Sequence, residues 1–145
     1  MPLTSDSIVL TTIAAAGVAA AVIDLRTRRV PNVLTFTLGV IGITFAATGL
    51  GRIGLAASLA GGLVGLLLML PGHVFGRTGA GDVKLLAAAG TLLGPAATMT
   101  AFLVMAVAGG AIALVIAVRS RRLRGVEFAY APAVAVGITL AALAG

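Results

Sequence analysis

Cysteine is absent, histidine and tyrosine occur once each, and only four of the 145 residues are acidic. Without cysteine there can be no disulfide, no thiolate zinc site and no cysteine nucleophile. His73 alone cannot supply a histidine-pair metal site, and a histidine-dependent triad has no second candidate. Neither a metal nor a cofactor is therefore expected. Charge of either sign is scarce, at 10% of residues, against 60% hydrophobic residues and a mean hydropathy of +1.19. Soluble domains are roughly 45–50% apolar and about 25% charged. The composition is that of an integral membrane protein, with residues 1–145 read as one domain. The net charge of +6 comes from ten basic residues set between apolar runs, where such residues act as topology signals. A lipid bilayer, not nucleic acid, is the expected surrounding.

The first apolar stretch, "IVLTTIAAAGVAAAVI", has the composition of a signal peptide. A secretory signal carries its positive charge before the apolar region. Here "MPLTSDS" precedes it without Lys or Arg, and "RTRR" follows it. The stretch is read as an uncleaved membrane helix.

A span needs about 20 apolar residues. The segments Ile8–Leu25, Val33–Leu50, Ile53–Phe75, Val83–Leu93, Ala96–Val118 and Phe128–Leu143 are candidates. They predict an all-α, polytopic helix bundle of about six transmembrane helices. The fourth, "VKLLAAAGTLL", covers only about half the hydrocarbon core. It either continues through Gly94-Pro95 with a kink or ends there in a re-entrant turn. The first, third and fifth connections hold nine basic residues: Arg26, Arg28, Arg29, Arg77, Lys84, Arg119, Arg121, Arg122 and Arg124. The second holds only Arg52, and the fourth none. The positive-inside bias therefore expects both termini outside and the odd connections in the cytoplasm. Gly61 and Gly65, one turn apart, together with Gly39, Gly42, Gly109 and Gly110, suit close helix packing.

Among the acids, Asp6 lies in the N-terminal tail and Glu127 follows "RSRRLRG", both readable as solvated side chains. Asp24 differs, because it sits inside the first apolar segment one turn from its end. An ionisable group there is costly unless it faces the bundle interior or water, which makes it a candidate functional group. The alternative is a helix-end carboxylate snorkelling to Arg28, four residues on. Asp82 follows "GAG" and opens the fourth segment, where aspartate also serves as an N-cap. It stands where a phosphate-binding loop would need lysine, so that motif is excluded. With the expected topology, Asp24 and Asp82 reach the same membrane face. Two carboxylates at one depth in a partly desolvated site do not both ionise easily and share a proton, one serving as base and the other as acid. Such a pair can activate water against a peptide carbonyl with neither metal nor nucleophile.

"GAGD" followed by "VKLLAAAG" resembles the GxGD motif of the type IV prepilin peptidases, membrane aspartic proteases that process pilins and archaeal flagellins. "DLRTRRVPN" is similar to the motif around that family's first aspartate, and "YAPAVAVG" to the terminal segment of its short members. The resemblance covers nearly the whole chain. It implies Asp24 and Asp82 as the catalytic pair, with Gly79, Gly81, Lys84, Pro31 and Asn32 as substrate-binding or supporting positions. The implied partner is a prepilin that loses a short basic leader at the cytoplasmic face of the inner membrane. Gly79–Gly81 would offer backbone for an extended substrate, Pro31-Asn32 would shape the entry to the second helix, and Lys84 would tune Asp82 or anchor its helix. The chain lacks the cysteine tetrad and large cytoplasmic loop of the bifunctional members, so N-methyltransferase activity is not expected. Among short forms, the tight-adherence (Flp) pilus enzymes are favoured over the archaeal preflagellin peptidases. His73 is read as an interfacial side chain near the site. Two other readings stay open: a presenilin-like intramembrane protease, whose partner aspartate would be expected one helix before the motif, and a carrier that moves protons or ions on a carboxylate pair.

Overall fold

The computed structural model describes residues 2–27, 30–76, 78–120 and 131–144. Arg28, Arg29, Arg77, Arg121, Arg122, Arg124, Glu127 and Tyr130 lie outside the described residues, so the expected Asp24–Arg28 contact and most of the fifth connection do too. Five helices and no strands occur among the described residues: α1 (Pro2–Thr27), α2 (Asn32–Thr48), α3 (Leu55–Val74), α4 (Ala80–Ser120) and α5 (Ala131–Ala144). The expected all-α membrane bundle is observed. The fourth and fifth apolar segments form one helical element, α4, interrupted at Gly94. Three helices are long and apolar enough to cross a bilayer, over Asp6–Thr27, Leu55–Val74 and Ala80–Ala111, while α2 is a shorter apolar helix.

The interruption has a local cause. Gly94 adopts φ 78°, ψ 172°, a backbone state that suits glycine, and Pro95 has no N–H to return to the carbonyl of Thr91. The Ser58 hydroxyl, wholly buried, donates to that carbonyl at 2.7 Å. Thr98 donates to the carbonyl of Gly94 at 2.6 Å. The Ser58 hydroxyl thus replaces the backbone donor that Pro95 lacks, where lipid supplies none. Beyond the break, Ala101 and Met105 lie against Gly137, whereas Ala142, further along α5, meets Arg52, next to Ile53 and Gly94. The second arm of α4 therefore returns alongside α5.

Exposed threonines solve the same problem within their own helices. Thr11, Thr12, Thr27, Thr44 and Thr48 each donate to the carbonyl one turn earlier, at 2.6–2.8 Å. A hydroxyl satisfied in this way can face hydrocarbon.

The first arm of α4 lies between α2 and α3. Along α3 the contacts run in opposite directions, Gly65 to Leu86, Gly61 to Gly90 and Ile53 to Gly94. Along α2 they run together, Val30 to Gly81, Gly39 to Ala88 and Gly42 to Thr91. A Cβ on Gly61 or Gly42 would collide with α4, so the bare backbone is what allows this spacing. Helix α1 packs chiefly along α5 and meets α2 and α4 at few points, through buried Val9, Ile13, Ala16 and Ala20. Gly49 in the left-handed conformation ends α2, and the Gly51 N–H bonds the Phe45 carbonyl at 2.9 Å, a glycine-terminated helix end. This architecture brings the end of α1 and the starts of α2 and α4 to one rim.

Candidate active site

Asp24 lies in the last turn of α1 and is 6% exposed; Asp82 is the third residue of α4 and 7% exposed. The two carboxylates are close enough for their charges to interact. Residues 58 positions apart, on helices that otherwise touch little, are thereby brought together.

Asp82 is not the N-cap of its helix. The Gly79 carbonyl accepts the N–H groups of Asp82 at 3.1 Å and Val83 at 3.4 Å, so the helix begins before Asp82. Asp82 belongs to the first turn and is buried, as are Val83 and Leu85 that follow it. Gly79 precedes the helix, while Ala80 and Gly81 are its first two residues. Gly81 has a packing task. A Cβ there would lie 2.8 Å from the Val30 Cβ, so only glycine admits this approach between α4 and the segment entering α2.

That segment is ordered by its own residues. Pro31, with φ −64° and ψ 136°, precedes α2, and its carbonyl accepts the N–H groups of Leu34 at 3.1 Å and Thr35 at 3.4 Å. The Thr35 hydroxyl donates to the Asn32 carbonyl at 3.0 Å. Lys84 Nζ donates to Asn32 Oδ1 at 3.0 Å. Lys84 thus ties the starts of α2 and α4 together from the face of α4 turned away from Asp82. The two sequence motifs touch at Val30–Gly81 and at Asn32–Lys84.

His73 is exposed in the last turn of α3; its Nδ1 lies 3.1 Å from the Thr78 carbonyl. It bridges to the α3–α4 connection, beside Gly72, whose carbonyl accepts the Thr78 N–H at 3.1 Å. Among the described residues no group of three or more histidine or acidic side chains is placed to hold a metal ion. What the site offers is a pair of carboxylates at a helical rim, suited to passing protons to and from a bound water.

Sequence reasoning missed Val30 as the partner of Gly81 and Asp6 as the partner of Arg52. Arg52 Nε pairs with Asp6 Oδ1 at 2.7 Å, and its Nη1 donates to the Ala142 carbonyl at 2.9 Å. The only signal for the ion pair was that Arg52 is the one basic residue of the second connection.

A family model described as the type IV leader peptidase family matches residues 11–114, a stretch containing both aspartates and all five supporting positions. No curated protein and no solved structure matches the chain.

Proposed function

The chain belongs to the type IV leader peptidase family, and on that premise we propose that it is an aspartic endopeptidase in which Asp24 and Asp82 form the catalytic dyad. Membership makes it a multi-pass membrane protein of the prepilin leader peptidase type. One observation supports the dyad: two buried carboxylates lie close enough for their charges to interact, although they belong to helices with few other contacts. Like charges placed together away from water are costly and are a mark of functional sites.

In this reading one carboxylate is ionised and the other protonated. The ionised one takes a proton from water as the water oxygen bonds to the scissile carbonyl carbon. The protonated one gives its proton to the carbonyl oxygen, forming a tetrahedral diol. Collapse of the diol breaks the C–N bond, and the amine leaves with a proton returned by the dyad. No covalent acyl-enzyme forms. A prepilin presents its cleavage site where its apolar helix leaves the bilayer, the level at which both aspartates lie. The substrate is a prepilin of the Flp type, cut at the cytoplasmic face of the inner membrane, and the chain carries no N-methyltransferase activity. Gly81, Val30, Pro31, Asn32 and Lys84 position the dyad by fixing α2 against α4.

The test is co-expression with a candidate Flp-type prepilin, comparing wild type with Asp24→Ala and Asp82→Ala. Wild type is expected to shorten the prepilin by its leader, and each variant to leave it intact. Processing that persists in both variants would remove the dyad from the mechanism.

A further inference from the structure

Between α2 and α3, floored by the first arm of α4, lies a groove of about 620 Å³. Phe36, Val40, Leu63 and Leu66 form its walls and are themselves well exposed, so in a membrane the groove opens to lipid. Its polar atoms are mostly satisfied within the protein: the Thr35 hydroxyl bonds the Asn32 carbonyl, and the Thr91 hydroxyl bonds the Ala88 carbonyl. One charge remains, the Lys84 ammonium, at the end nearest the start of α2. An ammonium has three N–H donors, and Asn32 takes one of them.

We propose that this groove binds one anionic glycerophospholipid, its phosphate on Lys84 and one acyl chain lying along α2. From Asn32 to Ile43 the groove follows 11 residues of helix, about 16 Å at 1.5 Å per residue. That is the depth of one leaflet, half of a hydrocarbon core of about 30 Å. The charge at the rim complements a phosphate, and the apolar walls complement an acyl chain. A substrate helix fits less well. The groove residues Lys84, Ala87, Ala88 and Thr91 lie on the face of α4 opposite Asp82 by helical spacing, so a peptide bond held there would have to pass around α4. The bound lipid fixes α2 against α4 through Lys84 and Asn32. The inference does not depend on the protease reading, and its readouts are not activity.

The experiment is native mass spectrometry and thermal unfolding of the full chain, with added phosphatidylglycerol or phosphatidylcholine. Wild type is expected to retain one phosphatidylglycerol in preference to phosphatidylcholine and to gain roughly 3–8 °C in Tm from it. Lys84→Met is expected to lose about fivefold of that preference, the factor for one basic residue near an anionic surface, and Lys84→Arg to restore it. Val40→Trp, which fills the groove from the lipid side and leaves Lys84 in place, is expected to lose both lipids. Glycerol phosphate without acyl chains should raise Tm no further than a neutral salt. Equal retention of the two lipids by wild type, full preference in Lys84→Met, or undiminished retention in Val40→Trp would overturn the site. Displacement of the lipid by a prepilin carrying its apolar helix would assign the groove to the substrate instead.

Discussion

At one end of the bundle Asp6 meets Arg52 at 2.7 Å, with the two side chains 41% and 23% exposed; at the other, Asp24 and Asp82 are 6% and 7% exposed and share the same sign of charge. The first pair joins the start of α1, the α2–α3 turn and the end of α5, because Arg52 also donates to the Ala142 carbonyl. It is a fastening, favourable though modest for partly exposed groups. The second pair costs stability, since burial and repulsion both oppose two charges. With four acids in the chain, one holds the fold together and two oppose it. Buried like charges of this kind mark a candidate functional site, which is why the proposed dyad is placed at Asp24 and Asp82 and not at Asp6.

The sharpest way to break this contrast is to neutralise one acid at each end. Asp82→Asn is expected to lower leader cleavage by a factor on the order of 10²–10⁴, the range for removing a general acid or base. Its Tm should hold or rise, because a like-charge pair is gone. Asp6→Asn is expected to do the reverse, keeping cleavage and lowering Tm. Cleavage assays and thermal unfolding on the same preparations decide it. A variant at position 82 that still cleaves but melts earlier would place Asp82 among the structural residues.

Much of this contrast was legible in the sequence. Asp24 and Asp82 each stood at the end of an apolar segment, where a charge is expensive, and the basic residues put both ends on one face. In the structure Val30 meets Gly81 and Lys84 meets Asn32, so the starts of α2 and α4 lie together. The apolar runs also located α1, α2 and α3 to within a few residues, apart from the start of α1. How the two arms join at Gly94 was harder to read, because the donor that satisfies the Thr91 carbonyl at the break is 33 residues away in Ser58. Asp6–Arg52 and Val30–Gly81 were not legible either. Such pairs depend on helices meeting in space, which periodicity within one segment does not encode.

Two substitutions sharpen the account of how the active rim is built. Gly81→Leu should force α4 from Val30 and cost about 1–3 kcal/mol, the range for overpacking, with cleavage falling as well. Adding Val30→Ala opens space and should recover part of both losses, a coupling that a double-mutant cycle measures. Additive losses would mean that the two side chains do not press on each other. Ser58→Ala should cost a similar or smaller amount, about 1–3 kcal/mol for a buried carbonyl left without its donor. Cleavage by the surviving folded protein should stay near normal, because Ser58 serves the break at Gly94 and not the rim.

The smallest effect belongs to Arg52. Its ion pair is worth about 0.2–1 kcal/mol, and a cation at the end of α5 adds about 0.3–1 kcal/mol. Arg52→Ala should therefore lower Tm by only a few degrees and leave cleavage unchanged. Arg52→Lys tests geometry apart from charge. The guanidinium reaches Asp6 through Nε and Ala142 through Nη1 at once, whereas one ammonium on a flexible stem serves two partners less well. The lysine variant should fall between wild type and alanine, and added salt should narrow its gap to alanine because exposed charges are screened. If lysine matches arginine, charge alone holds this end, and the bridging fork contributes nothing measurable.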